Sequence, residues 1–213
     1  MKRYAFLILV LISLPLIAVA DQISQFSLAA ATHKIAATIS RQGSGFGENA
    51  VLNFRSSPDG KLLRVMESDG FEAPVIFQQN GESFVHVSTI PTGSGAFVSD
   101  TIFWIAPDGT MHEIEFENAA EAYEDNVDVQ EMVLTGGPGV FCTGNKLKFE
   151  FYIAHHGDSH CCPTAGKVTG SYKIVGEKKF DTNTNSYSST FKMVAGHYSR
   201  TPVSSSEMSA SSR

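Results

Sequence analysis

The sequence predicts a mainly β protein: antiparallel meander sheets, sandwich-like or curved, with at most one or two short helices. Three observations carry this reading. Apolar and polar residues alternate in short blocks, as on strands with one buried face. The blocks are rich in β-branched and aromatic residues, and turn residues such as Ser57-Pro58-Asp59-Gly60 and Pro107-Asp108-Gly109 separate them. Uninterrupted helical periodicity is scarce.

The chain opens on an apolar leader. Lys2 and Arg3 precede an almost unbroken apolar run from Tyr4 to Ile17, and Ala18-Val19-Ala20 places small residues before Asp21. This is the pattern of a secretory signal peptide over residues 1–20, cleaved after Ala20. The competing reading is an uncleaved anchor, which has no use for the A-x-A ending. The expected location is therefore outside the cytoplasm, periplasmic or extracellular, with no membrane association after cleavage. Net charge is −6 for the whole chain, and loss of Lys2 and Arg3 makes the mature value −8. Without a Lys/Arg cluster such a chain lacks the electrostatic footprint for nucleic acid.

Residues 21–45 form an N-terminal segment whose structure the sequence leaves open. Gln25–Ile39 is Ala-rich and admits a helix, although its Ser, Thr and β-branched content opposes one. Gly43-Ser44-Gly45-Phe46-Gly47 matches a phosphate loop in composition only, and reads as a flexible turn.

Residues 46–200 read as a single β-rich domain. Strands are expected at Ala50–Phe54, Leu62–Met66, Pro74–Phe77, Phe84–Ile90, Phe97–Ala106, Met111–Phe116, Lys146–Ala154, Lys167–Val175 and Phe191–Val194. The clearest is Lys146–Ala154: Leu147, Phe149, Phe151 and Ile153 share one face, and Lys146, Lys148 and Glu150 the other. Asn118 is placed to cap a short helix over Ala119–Tyr123. Residues 201–213, Ser-rich and without aromatics, read as a disordered tail. Thr92-Gly93-Ser94-Gly95 lacks the frame of a nucleophile elbow. Asp125-Asn126-Val127-Asp128 lacks the Gly and Glu register of a calcium loop.

The chemistry concentrates between His155 and Cys162. This stretch holds His155, His156 and His160 of the seven histidines, and Cys161 and Cys162 of the three cysteines. Imidazole and thiolate suit zinc or copper, so His155, His156 and His160 are the candidate ligands if the protein binds metal. Consecutive side chains in an extended segment point opposite ways, which counts against all of them ligating one ion. No cofactor is otherwise expected. A cysteine nucleophile at Cys161 needs a base from elsewhere, for example His86 or His112, and no protease signature surrounds it.

An exported protein oxidises its thiols, and three cysteines allow three pairings. Cys142 precedes a plausible hairpin turn, Thr143-Gly144-Asn145, at the start of the Lys146 strand. That strand spans roughly 30 Å, and the chain from Ala154 to Cys161 reaches back at most about 24 Å. Pairing Cys142 with Cys161 or Cys162 thus requires a different hairpin. The reading favours a strained vicinal Cys161–Cys162 bond, with Cys142 free and buried.

Phe149-Glu150-Phe151-Tyr152, then His160-Cys161-Cys162-Pro163, then Gly170-Ser171-Tyr172-Lys173-Ile174 form a strand, a polar loop and a Tyr-containing strand. This stretch, about residues 146–180, resembles a segment of exported bacterial proteins of unknown function with a Cys-Cys-Pro loop. It is loosely similar to the C-terminal part of LppP/LprE-type lipoproteins, although the chain lacks their lipid-attachment cysteine. The resemblance covers about a sixth of the chain. It implies that the double cysteine is a structural clasp and supplies no catalytic residue.

The functional expectation is an exported, non-catalytic binding or envelope-associated module with a protein or envelope partner. Its motivation is the set of Gly/Ser-rich loops carried on strands, where binding residues commonly sit. The rival is a metal-binding protein or metal-dependent enzyme centred on the His155–Cys162 loop.

Overall fold

The computed structural model describes residues 23–30, 33–42, 49–57, 59–90, 99–158 and 163–203. The leader, the Gly43–Gly47 and Thr92–Gly95 segments, residues 159–162 and residues 204–213 lie outside the described residues.

Among the described residues fifteen strands form: β1 Ile23–Ala29, β2 Lys34–Gln42, β3 Asn49–Ser57, β4 Leu62–Ser68, β5 Val75–Gln79, β6 Glu82–Ser88, β7 Asp100–Ile105, β8 Met111–Glu113, β9 Glu115–Phe116, β10 Glu131–Thr143, β11 Lys146–His155, β12 Gly166–Val175, β13 Lys178–Asp181, β14 Ser186–Ser189 and β15 Lys192–Thr201. One short 3₁₀ helix, Glu121–Asn126, lies between β9 and β10. The fold is mainly β and almost wholly antiparallel, as the alternation requires.

The strands form three larger sheets and a separate hairpin. Strands β1-β2-β3-β4 make the first sheet, β5-β6-β7-β8 the second and β10-β11-β12-β15-β9 the third, while β13 and β14 pair only with each other. The second sheet lies between the other two. Val85, Val87, Phe103, Ile105 and Met111 pack with Leu28, Ile35, Ala37, Ile39, Leu52 and Phe54 of the first sheet. From the opposite face, Phe77, Phe84, Ile102 and Trp104 pack with Leu147, Phe149, Phe151, Val168 and Tyr172 of the third. A strand covered on both faces loses its polar alternation. That is why β6 and β7 read Ser83–Ser88 and Ile102–Ile105 with every residue buried.

The N-terminal segment is part of this body. Where the sequence admits a helix over Gln25–Ile39, β1 and β2 pair as antiparallel strands, with Phe26 opposite Ala37 and Leu28 opposite Ile35. Period-2 placement of Leu28, Ile35, Ala37 and Ile39 toward the core overrides the helix propensity of alanine. Strand β2 pairs with β3 along its whole length, which joins residues 34–42 to the first sheet.

Met111–Phe116, expected as one strand, changes sheets at Ile114. Its first half pairs with β7, and Glu115 and Phe116 run parallel to Lys192 and Met193 of β15. Ile114 is buried at this crossing, and its N–H donates to the Ile102 carbonyl at 3.0 Å. The helix expected at Ala119–Tyr123 is displaced to Glu121–Asn126 and wound tighter. Ala119 and Ala120 instead enter the core, and Asn118 Oδ1 accepts the Ala120 N–H at 3.0 Å. Strand β10 has no counterpart among the expected strands, because Gly136-Gly137-Pro138-Gly139 interrupts its alternation. Here the register with β11 shifts between Leu134 and Gly139, and the ladder resumes beyond the irregularity. Strand β15 extends to Thr201, one residue into the stretch expected to be tail.

Candidate functional site

The His155–Cys162 loop starts where β11 ends. His155 and His156 are both exposed, and the His156 N–H donates to the Gln130 carbonyl at 2.9 Å. The group that organises the loop is Asp158. Its carboxylate accepts the backbone N–H of His155 at 2.9 Å and of Thr164 at 2.8 Å, and the Thr164 hydroxyl as well. These donors, the Thr164 N–H first, hold the Asp158 carboxyl below the usual carboxylate range. The chain on either side of residues 159–162 is thereby fastened to one side chain. His160, Cys161 and Cys162, and with them the vicinal bond, lie outside the described residues. Among the described residues, no group of three or more His, Cys, Asp or Glu side chains is placed to hold a metal ion.

Cys142 carries a free thiol, packed against the core between the second and third sheets. Burial pushes it up to about 11. The β10–β11 hairpin turns at Gly144-Asn145 and sets Cys142 opposite Leu147, while His155 lies opposite Glu131 at the far end of the same ladder. The length of β11 therefore separates Cys142 from the start of the loop.

A second cluster, buried between sheets, was not assembled from the sequence. His86 and Ser88 sit two apart on β6 and so share a face, and the register brings Asp100 of β7 opposite Ser88. His86 Nε2 lies 2.7 Å from Asp100 Oδ1 and 3.2 Å from Ser88 Oγ, and the Ser88 hydroxyl donates to Asp100 Oδ1 at 2.6 Å. His86 is 5% exposed and Ser88 4%. The residue types are those of a nucleophilic triad, but the connections differ. In a triad the carboxylate holds one ring nitrogen and the serine addresses the other. Here both crowd Nε2, and the serine proton goes to a carboxylate that already receives the imidazole. The arrangement is a closed hydrogen-bond knot that satisfies three buried polar groups. Across the core, burial pushes the Tyr172 phenol up, and the charge of Asp100 adds to the shift.

The bases considered for Cys161 are thus both engaged. His86 is held in this knot, and His112 is bonded through Nε2 to Thr110 Oγ1 at 2.8 Å with its ring 5.4 Å from that of Trp104. His86-Val87-Ser88 was legible as two polar groups on one strand face, but nothing in sequence ties them to Asp100.

Two of the ion pairs that reach across strands carry further hydrogen bonds. Arg200 of β15 grips both Glu131 oxygens, at 2.9 and 2.6 Å, and donates to the Ala165 carbonyl at 2.9 Å. Glu82 accepts the Trp104 indole N–H at 3.0 Å on one oxygen and the Lys178 ammonium at 2.5 Å on the other.

Comparison with known proteins adds no relative: no family model, curated protein or solved structure matches the chain. Among the described residues, no helix is long and apolar enough to cross a membrane.

Proposed function

We propose that the protein is an exported, non-catalytic binding or envelope-associated module. The observation that supports this most is the connectivity of the buried Ser88–His86–Asp100 knot. Its hydroxyl and carboxylate address the same ring nitrogen, inside a core, so its chemistry is consumed in holding two strands together. What remains for function is the outer surface and the loops of a rigid three-sheet scaffold, the usual place for recognition residues. The apolar leader with its A-x-A ending supports export.

Expression of the full chain in a Gram-negative host, followed by fractionation and intact mass measurement, tests export. The expected product is residues 21–213 in the periplasm or medium; full-length protein retained in the cytoplasm overturns it. Purified mature protein is expected to associate saturably with washed envelopes and to leave Ser88 unlabelled by a fluorophosphonate probe. Labelling at Ser88 overturns the non-catalytic reading.

A second reading rests on the exposed pair His155 and His156 beside the cysteine loop. A metal-binding protein predicts stoichiometric zinc or copper after chelator-free purification, lost on replacing His155, His156 and His160.

A further inference from the structure

The β13–β14 hairpin stands apart from the sheets. Every residue of β13 is exposed, and neither β13 nor β14 is hydrogen-bonded into a larger sheet. The hairpin continues the β12–β15 ladder past a break at Gly176, which has φ +104°, and a Cβ there would meet the Thr190 carbonyl oxygen at 2.2 Å. Beyond the break the Glu177 carbonyl accepts the Thr190 N–H at 2.9 Å, and Lys178 pairs with Ser189. Few buried contacts and an exposed ladder define a segment that opens more readily than the body.

Two attachments hold the hairpin down. Tyr187 meets the Trp104 ring edge-on at 6.5 Å, backed by Phe180 at 4.8 Å. Lys178 places its ammonium 2.5 Å from Glu82 Oε1. The acceptor is well built: the Glu82 side chain is only 15% exposed, and Trp104, itself 0% exposed, fixes its other oxygen. Directly opposite Glu82 in the β5–β6 ladder is Gln79, whose buried Oε1 has no hydrogen-bond partner. A carboxylate fixed by an indole N–H, with an unpartnered carbonyl oxygen on the residue paired with it across the ladder, favours a cation with several N–H donors.

We propose that Glu82, Gln79 and Trp104 form a seat for an organic primary ammonium, occupied in the closed molecule by Lys178 of a hinged β13–β14 flap. The ligand class is an alkylammonium group, free or on a partner's lysine side chain. This deepens the binding reading by naming what is recognised, and export and envelope association are measured independently of it.

Trp104 is the single tryptophan, so its fluorescence reports the seat directly. Lys178→Ala is expected to raise acrylamide quenching severalfold while circular dichroism stays native. Added n-butylammonium is expected to return quenching to the wild-type level saturably, and equal concentrations of sodium chloride or n-butanol are not. Lys178→Arg, which keeps a charge on the flap, is expected to quench like wild type. Unchanged quenching in Lys178→Ala, or quenching that n-butylammonium does not reverse, overturns the proposal.

Discussion

The two cores on either side of the second sheet are built from different materials. Toward the first sheet the contacts are chiefly aliphatic, with Ala37, Ala50, Leu52, Ile35 and Val87 buried and Phe54 against Phe103 as the ring pair. Toward the third sheet lie Phe77, Phe84, Trp104, Phe149, Phe151 and Tyr172, joined by Tyr123, Tyr187, Phe191 and Tyr198. Polar groups follow the rings. The His86–Asp100 knot, the Glu82–Trp104 bond and Tyr172 all face the aromatic side. Trp and Tyr bring a polar atom into the core and need a partner there, whereas aliphatic side chains need none. One strand thus serves a simple core with its odd residues and a demanding one with its even residues.

Neighbours on β7 separate the two cores most sharply. Phe103→Ala and Trp104→Ala each empty one side and are expected to cost about 3–5 kcal/mol by urea unfolding. In Phe103→Ala, Trp104 fluorescence still reports the aromatic core. A single transition there means the cores unfold together; an earlier far-ultraviolet transition with Trp104 still native means they unfold separately. Asp100→Ala strands His86 and Ser88, and a loss of about 2–3 kcal/mol is expected at unchanged denaturant slope. Gly170→Ala tests how tightly the aromatic side is filled. The new methyl would lie 2.2 Å from the Phe149 ring, so a loss of about 1–3 kcal/mol is expected from overpacking.

Smaller effects come from the rim. The Arg200 guanidinium holds the Glu131 carboxyl below its ordinary value. A lowered carboxylate stabilises the fold above the ordinary value near 4.5, and that contribution is lost as pH falls through the lowered one. Wild type is therefore expected to lose more stability than Glu131→Gln between about pH 6 and about pH 3, read as the shift in urea midpoint. Least disturbing is alkylation. With its thiol pushed up to about 11, Cys142 is expected to resist iodoacetamide at neutral pH until the protein is denatured, as mapped by peptide mass.

Much of the β architecture was legible because alternation is local. Lys146–Ala154 lies within β11 with Leu147, Phe149 and Ile153 buried, as its one-sided pattern required. Where the alternation is blurred, the strand is hidden for identifiable reasons. Alanines disguised the β1–β2 hairpin, and Gly136-Gly137-Pro138-Gly139 broke the alternation of β10. The exposed β13 buries too little to show a period, and β14 is only four residues long. Of the candidate site, the sequence singled out the histidines and cysteines of one loop by their density. It gave no hint that Asp158 fastens that loop, because hydrogen bonds to backbone leave no compositional mark.

The sequence by itself determined strand chemistry, turn positions, net charge and the apolar leader, since each depends on residues adjacent in the chain. Tertiary structure alone decided which strands neighbour which, and hence which faces are doubly covered. It brought Asp100 to His86, Arg200 to Glu131 and Lys178 to Glu82 across 14, 69 and 96 residues of chain. Such pairings depend on sheet order and register, which no local pattern encodes, because the free energy that selects them comes from burying whole faces at once.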